Sequence, residues 1–196
     1  MEFDMRYQSD HKEEAKTKLL DAAGRGFRRQ GFGGIGVDGL AKEAGVTSGA
    51  FYGHFKSKDA AFEAAAVAGL DNLRESIAKL QAEEGDRWTE TFIDFYLGEL
   101  LRCSPDNSCG LQSLTSDVTR SSKDTKTAYG MALESVAQQL ADKLEGRTEE
   151  EKRRKAWSLM ALLSGGVTMA RSVASPELQD SIASHLKQAA RLLLRH

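Results

Sequence analysis

Within twelve positions, 47 to 58, the chain gathers two hydroxyls, a phenol, an imidazole and an ammonium group: Thr47, Ser48, Tyr52, His54 and Lys58. If 47–55 is helical, its first turn, Thr47-Ser48-Gly49-Ala50, carries only small side chains and lets the backbone approach a surface closely. The two hydroxyls can donate to phosphate oxygens or base edges, and the Ala50 methyl suits a thymine methyl. Tyr52 and His54 fall further along the outer side, spaced for flanking phosphates, with the charge of Lys58 close by. Phe51 and Phe55, four apart, point the other way and fix the helix to a core. No Arg, Asn or Gln occupies the segment. Bidentate base recognition is therefore sparse, and phosphate and shape readout carry a large share of the recognition expected of it.

Other reactive side chains form no comparable constellation. His11, His54, His185 and His196 are scattered without metal-ligand spacing. There is no phosphate loop following a strand and no nucleophile elbow. No catalytic residue, metal site or cofactor is expected. Cys103 and Cys109 are too few for a secreted disulfide framework. They flank a turn closely enough to meet as a redox pair, although two unrelated reduced thiols is the simpler reading.

The elements that must position these groups read as helices throughout. Only Pro105 and Pro176 occur, and no segment alternates with period two. Ala15, Leu19, Ala22, Ala23 and Phe27 form the apolar face of a first helix ending at Gly31. A second covers about 37–44, with Val37, Leu40, Ala41 and Ala44 inward, and a third covers 47–55 with Thr47 as N-cap. Ser57 caps a fourth, running from Lys58 past Leu70 toward Leu80. Asp86 is expected to cap a fifth reaching Leu101, followed by turn chemistry at 104–108 and helices over about 110–120 and 124–144. Thr148 and Glu151 fit a capping box for the eighth. Ser175 caps the ninth, with Pro176 in its first turn.

Composition agrees with a folded chain that contacts an anionic partner. Of 196 residues, 40% are hydrophobic and 29% charged, an ordinary globular balance. The net charge is −2, yet 12–58 holds nine Lys and Arg against five Asp and Glu. That local excess suits phosphates, whose neutralisation releases counterions. Lys16 is the best placed of the first-helix lysines for a phosphate, whereas Lys12 and Lys18 suit an ordinary solvated face equally well. No signal peptide is discernible, and the apolar run 157–170 is interrupted and shorter than a span needs. A cytoplasmic location is expected by elimination.

Two short helices separated by Ala44-Gly45-Val46 have the proportions of a helix-turn-helix. Gly45 permits the positive φ that reverses the chain, and the second helix would enter a major groove by its first turn. The run AKEAGVTSGAFYGHFKSKDAAF resembles the DNA-binding signature of TetR/AcrR-type repressors, as does LLDAAGRGFRRQGF before it. The close resemblance covers about 12–65. It implies an all-α chain of about nine helices: a three-helix DNA-binding domain, 1–58, and a helical ligand-binding and dimerisation domain, 59–196. By resemblance, Tyr52, His54 and Lys58 bind phosphates, and Thr47, Ser48 and Gly49 face the groove. With Lys16, Val37 and Ala50 these complete the expected DNA-contacting set. Where the family usually has Thr and Ser before the second helix, this chain has Ile35 and Gly36. Phosphate binding there must rest on main-chain amides.

The C-terminal part offers aromatic bulk that is mostly core at helical spacing. The resemblance implies that some of it lines an effector pocket, for which Trp88, Phe92, Tyr96, Leu114 and Tyr129 are the candidates. The eighth helix is apolar almost all round, and the ninth carries a matching stripe. Met160, Leu163, Gly166, Val167, Ile182, Leu186, Ala189 and Leu193 are the expected homodimer contacts. The function so implied is a repressor released from a palindromic operator by a small-molecule inducer. A helical interaction module without DNA affinity is the alternative, and an enzyme is not expected.

Overall fold

The computed structural model describes residues 2–195, with side chains from Ala15 onward; the side chain of Lys12 lies outside the described ones, as does His196. Among the described residues the chain is all-α, without a strand. Three helices form the N-terminal part: α1 (Glu2–Gly34), α2 (Val37–Glu43) and α3 (Ser48–His54). The rest comprises α4 (Lys58–Glu84), α5 (Trp88–Tyr96), α6 (Gly110–Val118), α7 (Lys123–Ala141), α8 (Glu149–Arg171) and α9 (Pro176–Arg195).

Several boundaries follow from caps written into the sequence. Thr47, Ser57 and Ser175 each accept a backbone N–H, from Ala50, Ala60 and Leu178, filling donors that a helix start leaves open. At α8 the Thr148 hydroxyl accepts from the Glu151 amide as expected. Glu151 reaches back one residue further, to the amide of Arg147, so the box is displaced rather than reciprocal. That hydrogen bond, first among its causes, lowers the Glu151 pKa.

Two boundaries differ from the sequence reading. Asp86 caps nothing: it lies in a single 3-10 turn, Gly85–Arg87, and α5 begins at Trp88. α5 also stops at Tyr96 instead of reaching Leu101, because Gly98 leaves helical geometry (φ −122°, ψ −94°) and only one further turn, Glu99–Arg102, forms. A second irregular turn, Pro105–Asn107, leads into α6.

Packing joins the two parts through α1 and α4. Phe27 meets Phe62 edge-on at 5.2 Å, and Phe32 meets the same ring at 5.2 Å, a geometry aromatic quadrupoles favour. α1 breaks at Gly31, whose φ of 72° lies in the left-handed region that costs a side chain ~1–2 kcal/mol. The break frees the Phe32 amide, which donates to the Asp117 carboxylate of α6. α4 runs on as the spine of the second part, against α6 and α7. α8 and α9 pair at its far side, where Gly166 leaves room for Leu186: a Cβ at that glycine would lie 2.4 Å from the leucine Cδ1.

Candidate nucleic-acid interface

α2 and α3 are joined by a turn that only a left-handed residue closes. Gly45 has φ 70°, and the Val46 amide returns to the Ala41 carbonyl at 2.9 Å. Leu40 and Ala41 are buried, Val37 and Ala44 half-buried. α2 starts without a side-chain cap, at Gly36, and Ile35 is buried in the core instead. The N-terminal amides of α2 are therefore unoccupied by any side-chain cap. Arg29 and Arg25 of α1 pair with Glu43 at the end of α2, fixing the angle between the helices.

α3 turns one face inward and one outward. Phe51 is fully buried and Phe55 nearly so, their centroids 5.5 Å apart. Tyr52 is 57% exposed, with Gly49 and Ala50 also exposed and His54 half-buried. This is the orientation the Phe51–Phe55 spacing implies. The two hydroxyls of the first turn are less free than their types suggest. Thr47 holds the Ala50 amide at 3.2 Å, and Ser48 donates to the Asp38 carboxylate of α2. The Thr47 bond is the expected N-cap, whereas the Ser48 bond was not legible from spacing, since Asp38 belongs to the preceding helix.

Lys58 begins α4 beside this surface. Its Nζ lies 4.3 Å from the centre of the Phe32 ring, a cation–π arrangement that holds the ammonium near the C-terminal end of α3. Lys16 and Lys18 are exposed on α1, as are Lys42 and Lys56 on the flanking elements. The outer side thus combines small side chains, one exposed phenol, one imidazole and several cations, which is the inventory a phosphate-lined groove requires.

Beyond α4 lies a cavity of about 600 Å³, within the range of small-molecule sites. It opens between α4, α5 and the Pro105–Asn107 turn. Phe92 and Tyr96 line it, as the sequence reading proposed. Three other candidates do not. Leu114 is completely buried in the helical core. The Tyr129 hydroxyl is satisfied by Thr115 at 2.7 Å, and burial raises its pKa to about 12. Trp88 lines a separate, smaller recess near Leu144 and Leu194. Sequence reasoning missed Arg28, Leu73, Phe95 and Cys109, all on the cavity wall. The signal for Arg28 was its i, i+4, i+8 alignment with Leu20 and Gly24, the α1 stripe that turns toward α4.

The cysteines have separate environments. Both are free thiols. Cys103 donates to the Leu100 carbonyl and receives the Arg171 guanidinium, each at 3.1 Å. Burial raises the pKa of Cys109, against the opposing pull of the Tyr96 hydroxyl, neighbouring amides and Arg28.

Of the expected interhelical contacts, Met160, Leu163, Gly166 and Val167 are buried within the chain itself. Ile182, Leu186 and Leu193 are half-buried against the core. Met160 and Leu163 face Leu73, Ile77, Phe92 and Val136 in the core, and Gly166 meets Leu186 where α8 and α9 pair. The exposed side of the pair carries other residues: Ala161, Gly165 and Met169 on α8, and Leu178, Ala189 and Leu192 on α9. Only Ala189 belongs to both sets.

Residues 19–65 match the model of the bacterial regulatory proteins, tetR family. The chain is 26% identical over 164 residues to the HTH-type transcriptional regulator LmrA of Bacillus subtilis (strain 168), a match covering 80% of this chain and 86% of LmrA. It is 37% identical over 71 residues to the HTH-type transcriptional regulator AcrR of Shigella flexneri, covering 36% of this chain and 33% of AcrR. Among solved structures, the reduced form of E. coli NemR superposes with a TM-score of 0.70 at 22% identity, covering 89% of this chain and 96% of NemR. A TetR-family regulator from Rhodococcus sp. gives 0.71 at 20%, covering 93% and 99%. These likenesses show a shared fold across both parts of the chain.

Proposed function

From a chain that is a TetR-type transcriptional regulator, a family of DNA-binding proteins and not of enzymes, we infer a homodimeric repressor that leaves its operator when a small molecule fills the second domain. The observation carrying this reading is α3: a short capped rod with Phe51 and Phe55 interred and Tyr52 standing out. Such a rod enters the major groove by its first turn. Gly49 and Ala50 allow close approach, and Tyr52 and His54 reach flanking phosphates. Thr47 keeps its O–H to donate, and Ser48, whose O–H is spent on Asp38, contributes lone pairs that accept from a base amino group. Lys16, Val37 and Lys58 border the same surface.

A palindromic operator requires two such helices about one helical turn apart, hence a dimer. The exposed rows of α8 and α9 supply a self-complementary surface, with Gly165 allowing close crossing and Met169, Leu178 and Leu192 offering apolar contact. An isologous four-helix contact buries them. Among the described residues no helix is long and apolar enough to cross a membrane.

Release follows from linkage. An effector that binds one arrangement of α1 and α4 better than another lowers DNA affinity by that ratio, typically ~1–3 kcal/mol, and the operator lowers effector affinity equally. The deciding experiment is selection of bound duplexes from a random pool with the purified chain. A palindrome with half-sites about ten base pairs apart supports the reading. Recovery of no enriched sequence, or of a single unpaired half-site bound by a monomer, contradicts it.

A further inference from the structure

Arg28 stands between two arginines that have carboxylate partners and has none itself. Arg25 and Arg29 both pair with Glu43. The Arg28 Nε donates to the Asp106 main-chain carbonyl at 2.8 Å, and among the described side chains no carboxylate lies within ion-pair distance of it. Its guanidinium is half-buried in the wall of the 600 Å³ cavity. A half-buried cation in a cavity wall with no carboxylate partner is a ready counter-charge for a bound anion.

A second observation points to the same place. The Tyr96 hydroxyl is buried without a partner in hydrogen-bond geometry; beside it stands only the Cys109 thiol, a weak acceptor, although such groups nearly always find a strong partner. Arg28, Tyr96 and Cys109 line the same cavity, and the Cys109 thiol is close enough to feel both the Tyr96 hydroxyl and the Arg28 charge. Burial raises the pKa of Tyr96 and keeps it a donor. The remaining wall is apolar, chiefly Leu73, Leu80, Phe92 and Phe95.

We propose that this cavity binds an amphipathic monocarboxylate, its head group set against Arg28 and the Tyr96 hydroxyl and its apolar body against Phe92, Phe95, Leu73 and Leu80. One fork-shaped cation and one hydroxyl match a single carboxylate; a phosphate dianion would leave most of its acceptors unmet there. The inference rests on the ligand-responsive reading above and deepens it, because Arg28 belongs to α1. The same guanidinium ties α1 to the Pro105–Asn107 turn through Asp106, so a carboxylate drawing on it bears directly on how α1 sits against the second domain.

The test uses octanoate, decanoate, 4-phenylbutyrate and 1-naphthaleneacetate, each titrated calorimetrically against its primary amide. At least one acid should bind about tenfold tighter than its amide, a difference of ~1.4 kcal/mol. Arg28→Gln should abolish that preference, bringing each acid to about the affinity of its amide. Tyr96→Phe should weaken the acid about threefold to tenfold with little change in the melting temperature of the free protein, since the hydroxyl it removes makes no strong hydrogen bond there. Acids and amides binding alike, none of the four acids binding, or acid affinity unmoved by both variants would each overturn the assignment. Duplex affinity is measured on the same samples. An acid that binds without loosening DNA supports the cavity assignment and refutes inducer release, whereas absence of any duplex binding refutes the regulator reading alone.

Discussion

The main-chain amide of Phe32 donates to the Asp117 carboxylate across 2.8 Å, joining residues 85 positions apart. It is a point where the helix that packs on α2 meets α6, and it forms because Gly31 breaks α1 and frees that amide. Asp117 also pairs with Arg120 at 2.6 Å, which keeps its carboxylate aimed. Any movement of α6 is therefore felt at the end of α1.

Asp117→Ala should destabilise the protein by about 1.5–3 kcal/mol, the range for a hydrogen bond to a charged acceptor, read as a shift in urea midpoint without change in slope. It should also reduce the change in operator affinity that effector produces, because one tie between the domains is gone. Full effector response in the variant would remove Asp117 from the coupling.

Lys155 is a second buried group whose role is architectural. It is 5% exposed, and its Nζ donates to the carbonyls of Glu145 at 2.9 Å and Leu194 at 3.2 Å, with Glu151 at 3.7 Å. One ammonium thus closes the loop before α8 and the last turn of α9. Lys155→Met keeps the stem and removes the donors, leaving two carbonyls and a carboxylate unsatisfied. A loss of about 2–4 kcal/mol follows, measurable by thermal unfolding. A change below about 0.5 kcal/mol would place those carbonyls in contact with water.

Alkaline pH should unfold the protein through its tyrosines. Burial raises Tyr129 to about 12, and Tyr96 is raised as well, whereas a phenol in the unfolded chain titrates near 10. Below pH ~10 both states are protonated and the full stability is present. As the pH rises past that, the unfolded chain loses protons first, so stability falls, by up to ~1.4 kcal/mol per pH unit for each phenol. Tyr129→Phe should shallow the slope between pH 10 and 12. An identical slope would assign the effect to other groups.

Cys109 should be a slow thiol. Its pKa is raised by burial, and the thiolate is the reactive form. Alkylation by iodoacetamide at pH 8 is expected to be at least about tenfold slower in the native protein than in urea. Native labelling as fast as in urea would show the site open, and a peroxide response lost in a Cys103→Ser, Cys109→Ser double variant would restore the redox pair.

What the sequence disclosed was decided within a few residues of itself. Thr47 and Ser57 cap their helices because a hydroxyl reaches the third amide ahead regardless of what lies elsewhere. Gly45 turns the chain for reasons of its own φ, and Phe51 with Phe55 can only share one side of α3. What stayed hidden depended on distant partners. Nothing near Arg28 announces that Glu43 takes its neighbours and leaves it to the cavity, and Asp38 engages Ser48 from another helix. The apolar circumference of α8 shows that it is surrounded, not by whom: Gly166 admits Leu186 of the same chain. Leu114 and Tyr129 have the size of pocket residues but pack into the core, and Trp88 faces a different recess, near Leu144 and Leu194.

The most direct measurement is fluorescence anisotropy of the selected duplex between 50 and 200 mM salt, with wild type, Tyr52→Phe and His54→Ala. Wild-type affinity should fall steeply, the logarithm declining with a slope of about −0.9 per phosphate contacted. Tyr52→Phe should weaken binding about threefold to tenfold, the worth of one hydrogen bond. His54→Ala should do so comparably, with neither variant altering stability by more than about 0.5 kcal/mol. Affinity indifferent to salt and to both substitutions would mean that the exposed side of α3 does not face DNA.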